Sequence, residues 1–227
     1  MIILFDLDNT LIDTERIKKD IFFAVGMEQD LTLDQAKELY HSVRNVEGVV
    51  EFSPQKFAHA LAEKVGGNAE LFQKIIYERL QSMGPSMCIP GAEEMIQLAQ
   101  EKTKEVYVMS LGVHSWQMEK LEMCGFHTFF PKEKRILPDM NLKADDAKVV
   151  ALKNFFGAEF QKQESILIND KPDETKILLS VYNNMRALVR RDVNDTRFCK
   201  EDFIHANKQY GERFVYSESL FELKKFL

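Results

Sequence analysis

The sequence predicts an α/β fold: a parallel sheet flanked by helices and interrupted, after its first strand, by a long helical insertion. Three observations carry this. Short apolar runs recur at Ile2–Phe5, Val106–Met109, Ile166–Ile168, Ala187–Val189 and Phe214–Tyr216, each of strand length. Helical patterns lie between most of them, the alternation that βαβ units require. Thr14–Cys88 holds no convincing strand but four amphipathic stretches in succession.

The first run ends in Asp6-Leu7-Asp8-Asn9-Thr10. Side chains two apart on an extended segment point the same way, so Asp6 and Asp8 are expected to face one site together. Two such charges side by side are costly unless a cation or a shared proton relieves them. In the insertion, Ile17, Ile21, Phe22 and Val25 recur at helical spacing, and Thr32 caps a helix carrying Leu33, Ala36, Leu39, Tyr40 and Val43. Ser53-Pro54 is a cap and first-turn pair ahead of Phe57, Ala60 and Leu61. Asn68 starts a fourth helix with Leu71, Phe72, Ile75, Ile76 and Leu80, and Gly84-Pro85 and Pro90-Gly91 mark the return to the core. The second run closes on Ser110 and the third on Asn169-Asp170. Ligands bind beyond the carboxyl ends of strands in open α/β sheets, which sends Asp6, Ser110 and Asp170 to one crevice. Lys143 lies ahead of a helix carrying Val149, Val150 and Leu152, and Pro172-Asp173-Glu174 makes a helix first turn.

With 227 residues, 45% apolar and 29% charged, the chain suits one large globular domain or a core with a smaller partner. A net charge of −6 without a basic stripe disfavours nucleic acid. It leaves room for a small phosphorylated substrate, because the potential in a cleft can oppose the global sign. Cys88, Cys124 and Cys199 are widely spaced, which fits thiols in a reducing compartment better than a disulfide framework or a zinc site. No apolar run approaches bilayer length and no targeting segment is read ahead of the first strand, so no membrane partner is expected and the expected location is cytoplasmic. Oligomeric state leaves no mark in the sequence.

A carboxylate such as Asp6 can attack phosphorus and divide a hard hydrolysis into two steps. Asp8 could protonate the leaving oxygen and then deprotonate water, which calls for a proton near neutral pH; a neighbouring carboxylate would raise its pKa. Magnesium would shield the nucleophile from the phosphate's own charge. It takes hard oxygen ligands, which Asp170 and, one loop on, Asp173 or Glu174 offer. Ser110, with the backbone N–H groups of Leu111-Gly112 beside it, suits a phosphoryl oxygen, and no GxSxG motif surrounds it. Lys143 offers a cation to the carboxylates and the transferring group, with Lys148 a rival one helical turn on. His114, and His41, Arg44, Lys56 and His59 in the insertion, could meet substrate, although a solvated surface explains them as well.

Together these residues resemble the haloacid dehalogenase-like superfamily over almost the whole chain. Its first motif, DxDxT, is matched in full by Asp6-Leu7-Asp8-Asn9-Thr10; its second, a Ser or Thr ending an apolar strand, by Ser110; its third, a lysine, by Lys143; its acidic fourth by Asp170 with Glu174 or Asp173. The resemblance implies a Rossmann-like core over residues 1–13 and 89–227 with a helical cap over 14–88. It implies Asp6 as nucleophile and magnesium ligand, and Asp8 as acid and base with its backbone carbonyl on the metal. Ser110, Leu111 and Lys143 would hold the phosphoryl group, and Asp170 with Glu174 or Asp173 would complete the magnesium site. The second acid, Asp8, is similar to that of phosphoryl-transfer members and is lacking in the dehalogenases. The expected function is a magnesium-dependent phosphatase acting on a small phosphorylated metabolite through an aspartyl-phosphate. A phosphotransferase or sugar-phosphate mutase would use the same residues, and a non-catalytic binding protein on this fold is a third reading. Three departures stand out: Asn169 where the fourth motif often has Gly or Asp, Leu111 where many relatives have Asn, and Lys171 as an added cation in the metal loop.

Overall fold

The computed structural model describes residues 1–46, 49–138 and 146–227. Its strands are β1 (Ile2–Asp6), β2 (Asn45–Val46), β3 (Val49–Val50), β4 (Val106–Met109), β5 (Arg135–Ile136), β6 (Ser165–Asn169), β7 (Met185–Arg190) and β8 (Phe214–Ser217). Six form one sheet in the order β5-β4-β1-β6-β7-β8, with every neighbouring pair parallel. All five apolar runs are strands of this sheet, so the α/β expectation holds. β5 is an addition: two residues beside a mixed-charge run are too short to leave a period-2 pattern.

The strands β1, β4 and β6 are buried throughout, as parallel strands covered on both faces must be. Alternation then separates two cores. Ile3, Phe5, Val108, Ile166 and Ile168 join one; Leu4, Tyr107, Met109, Leu167 and Val189 join the other. From β1 the chain winds outward to β4 and β5, then crosses to the far side of β1 for β6, β7 and β8. The winding therefore reverses at β1, and the crevice beyond its carboxyl end is the topological switch point.

Between β1 and β4 the chain is mainly helical. Helices Leu33–Arg44, Pro54–Val65 and Ala69–Met83 begin where the cap residues place them. Thr32 Oγ1 accepts from Gln35 N–H at 3.2 Å, Ser53 Oγ from Lys56 N–H at 3.2 Å, and Asn68 Oδ1 from Glu70 N–H at 2.8 Å. The stretch expected as a single helix through Ile17 and Val25 is instead helical over Thr14–Ile17 and Ala24–Glu28 with a π-helical turn, Lys18–Phe23, between them. Such turns often mark functional sites and are invisible to a search for 3.6-residue spacing. The β2–β3 ribbon is the other difference from an all-helical insertion: Asn45 pairs with Val50 and Val46 with Val49, the β-branched valines favouring extended backbone.

The two passages between sheet and helical segment run side by side. Asp13 N–H donates to the Met87 carbonyl at 2.8 Å and Ile89 N–H to that of Leu11 at 2.9 Å. Phe22 ties the helical segment to the core. Its ring lies 4.8 Å from Phe52, 5.3 Å from Phe57 and 6.4 Å from Trp116, and Trp116 belongs to the helix His114–Met123 that follows β4. Phe22→Ala should therefore cost about 3–5 kcal/mol, from lost transfer energy plus the cavity left behind. Urea unfolding reads this directly, and an unchanged midpoint would refute the bridging role.

Candidate active site

Asp6 ends β1 with its side chain almost fully buried. A tight loop follows, in which the amides of Leu11 and Ile12 both return to the Leu7 carbonyl at 3.0 Å. Asn9 takes a left-handed φ of 59°, a conformation asparagine tolerates better than most residues. Arg190, at the end of β7, clamps the loop by donating to the Asn9 carbonyl at 2.8 Å. Thr10 faces inward and donates to Asp6 Oδ2 at 3.2 Å.

Each of the two N-terminal aspartates has its own buried lysine. Lys148 lies 2.5 Å from Asp6 Oδ1 and 2.6 Å from Glu174 Oε1. Burial pushes the Asp6 carboxyl above its usual range, with Lys148 pulling the other way. Burial also works against the Lys148 proton, but Asp6 and Glu174 hold it on. Asp8 is ion-paired to Lys120 and accepts from Thr14 Oγ1 at 2.6 Å, and from Ser110 Oγ and Gln117 Nε2 at 3.4 Å each. Burial alone would raise Asp8; Lys120 outweighs it and holds the carboxyl well below the usual range. The expectation of a raised Asp8 is thus corrected, because a lysine rather than a carboxylate is its nearest charge.

Lys120 and Gln117 were not singled out by the sequence reading. The signal was present: Trp116, Leu121 and Cys124 set the buried stripe of their helix, and Gln117 and Lys120 fall on that stripe. Gly112 lets Gln117 in, since a Cβ there would stand 2.3 Å from Gln117 Nε2. Leu111 turns its carbonyl to the same amide at 3.1 Å. Lys143 lies outside the described residues. Lys148, its rival in the sequence, contacts the Asp6 carboxylate.

Asp170 follows β6, so the pairing of Phe5 with Ile168 brings it next to Asp6 at the sheet edge. It is buried, neither carboxylate oxygen has a hydrogen-bond partner among the described residues, and Arg197 stands 3.9 Å off. Burial lifts it to about 7 against the pull of Lys171. Glu174, which with Asp173 as its alternative was expected to support the metal, contacts Lys148 and Asn169 Nδ2, the latter at 3.0 Å. Burial would raise it, yet Lys148 and Lys171 hold it down at about 2. Asp173 caps its own helix turn, accepting from Glu174 N–H at 2.7 Å. Among the described residues no three His, Cys, Asp or Glu side chains gather as a metal cage. Magnesium needs none, since one or two carboxylates with a carbonyl and waters suffice. The Asp170 oxygens, which accept no hydrogen bond among the described residues, would with Asp6 and the Asp8 backbone offer such a donor set.

Above these strand ends lies a cavity of about 160 Å³. Asp8, Lys120, Leu111 and Lys171 line its sheet side, Lys18, Tyr40, Arg44 and Phe52 its helical side, and Arg197 also borders it. Five cations against one carboxylate make this lining positive although the chain carries −6.

A family model described as haloacid dehalogenase-like hydrolase matches residues 3–177. No curated protein matches the chain in sequence. Among solved structures, a candidate haloacid dehalogenase-like hydrolase from Burkholderia xenovorans LB400 is similar at 15% identity and a TM-score of 0.69, covering 99% of this chain and 94% of that one. The hydrolase YfnB from Bacillus subtilis, bound to magnesium, is similar at 16% identity and 0.55, covering 99% and 97%. CbbY from Rhodobacter sphaeroides, in complex with phosphate, is similar at 15% and 0.54, covering 98% and 96%. At such identities the likenesses are of fold. The family match runs from the first strand past the Asp170 loop, and by it this chain belongs to the haloacid dehalogenase-like hydrolases.

Proposed function

We propose that the chain is a magnesium-dependent phosphatase acting on a small phosphorylated metabolite, with residues 14–88 as a cap over a core formed by the rest. The buried carboxylate of Asp170, whose oxygens accept no hydrogen bond among the described residues, set beside Asp6 beneath a cationic cavity, is the observation that supports this most. Asp6, Asp170 and the Asp8 backbone carbonyl would hold the metal, which when bound draws charge from the phosphoryl oxygens. Asp6 attacks phosphorus, the bond to the ester oxygen breaks, and an aspartyl-phosphate forms. Lys148 and Ser110, with the Leu111 amide, offset charge on the transferring group. Asp8 rests as a carboxylate, the form that takes a proton from the attacking water in the second step. The leaving oxygen of the first step is protonated through the same carboxylate, once the ester has delivered a proton to it.

Phosphate release from an aryl phosphate should need added magnesium, stop with a chelator and return when magnesium is restored. Equal turnover without metal would overturn this reading. Isomer formed from a sugar phosphate without free phosphate would favour a mutase, and saturable magnesium binding with no turnover of any ester a binding protein.

Asp170 carries a second test. Asp170→Asn removes a buried carboxyl that accepts no hydrogen bond among the described residues and that burial already lifts to about 7, while Arg197 keeps Asp195, so the metal-free variant should be at least as stable as the parent. Its melting temperature should also lose the rise that magnesium gives the parent chain. A variant less stable than the parent, or one still stabilised by magnesium, would remove Asp170 from the metal site.

A further inference from the structure

The cavity carries more positive charge on its helical side than a single phosphoryl group at the strand ends would use. Lys18, Tyr40, Arg44 and Phe52 line that side. Lys18 sits in the π-helical turn, and its neighbours include two cations from separate segments: burial first, then Arg44 and Arg197, depress its ammonium against the pull of Glu15. His41, beside them, is depressed by burial and by the same Arg44 and Lys18, so it adds no charge at neutral pH.

Two of the three cations already have carboxylates. Lys18 lies 2.5 Å from Glu15, and Arg197 lies 2.6 Å from Asp195. Among the described residues Arg44 has no such ion pair, leaving a surplus of one positive charge on this side. The inner side is separately accounted for by Lys120 on Asp8 and Lys148 on Asp6. Phe52, Tyr40 and Trp116 wall the space between, which keeps water from screening a charge placed there.

Resting on the phosphatase reading, we propose that the preferred ester is a short phosphorylated carboxylic acid, its single carboxylate seated on Arg44 with Lys18 beside it. Charge limits the choice. One surplus positive charge matches a carboxylate and falls short of a second phosphate. The cavity of about 160 Å³ admits a phosphoryl group on a short carbon chain with a carboxylate. The aromatic wall meets the carbon chain while the two ends meet cations.

The test uses 2-phospholactate and isopropyl phosphate, which differ only in carboxylate for methyl. With magnesium, kcat/KM should favour the acid by about tenfold or more, the effect of one charge-assisted pair. In Arg44→Met the preference should fall to within about threefold of parity, mainly through KM, and Arg44→Lys should recover part of it. Because the ratio is taken within one protein sample, partial misfolding of a variant leaves it readable. Parity in the parent chain, a preference that survives Arg44→Met, or faster turnover of a hexose phosphate overturns the proposal. If neither ester nor an aryl phosphate is hydrolysed, the phosphatase reading fails separately. Calorimetric titration of the magnesium-loaded chain with both esters then decides the carboxylate site: tenfold tighter binding of the acid sustains it, and equal affinity removes it.

Discussion

Asp6→Asn is expected to lose about 10⁴-fold or more of magnesium-dependent phosphate release, on the scale seen when a covalent nucleophile is removed. The amide keeps the shape of the carboxylate and can still accept from Thr10, which now lies 3.2 Å from Asp6 Oδ2. It lacks the negative oxygen that attacks phosphorus and one of the hard ligands magnesium prefers. The substitution is also mild for the fold, because Lys148 keeps Glu174 at 2.6 Å. Activity should therefore collapse while the thermal transition stays cooperative. Turnover within tenfold of the parent chain, in a sample free of parent protein, would exclude Asp6 as nucleophile and leave the phosphatase without a covalent step.

What the sequence made legible follows from how the information is carried. Strands of a parallel sheet read as short apolar runs, in β1, β4 and β6 because they are buried on both faces, and β7 and β8 were visible in the same way, as were the acids and the serine at the strand ends. Helix caps are local, and Thr32, Ser53 and Asn68 could be placed from neighbours alone. Ion pairs across long separations are not local. Lys120 meets Asp8 over 112 residues and Lys148 meets Asp6 over 142, and no spacing rule says which lysine of several reaches a strand end. Position favoured Lys143, because it stands ahead of the helix leading into the Asp170 strand. In the helix Ala147–Phe156, Lys148 lies on the buried side with Ala147, Ala151 and Leu152, a face that points toward the sheet. The same limit applied to Asp8. The spacing predicts that the two aspartates face one site together; in the fold each carboxylate meets its own lysine, and that lysine acts on its protonation.

Those lysines decide the second large effect. Lys148→Met should destabilise the chain by about 3–5 kcal/mol, the cost of removing one partner from a buried ion pair. Methionine fills much of the lysine stem's volume, so the loss is electrostatic: Asp6 and Glu174, both now within 2.6 Å of the ammonium, would be left as buried carboxylates with no cation between them. Phosphate release should fall as well, since the charge that Lys148 brings to Asp6 is the one placed to offset the transferring group. The double variant Lys148→Met with Glu174→Gln separates the two effects. It removes one of the stranded carboxylates and should recover part of the stability, while activity stays low because the cation is still missing. Urea unfolding of the parent chain, both single variants and the double variant gives the coupling between the two sites. Additive losses, or a Lys148→Met chain as stable and as active as the parent, would reject Lys148 as the site's cation, and loss of activity in Lys143→Met alone would move that role back to Lys143.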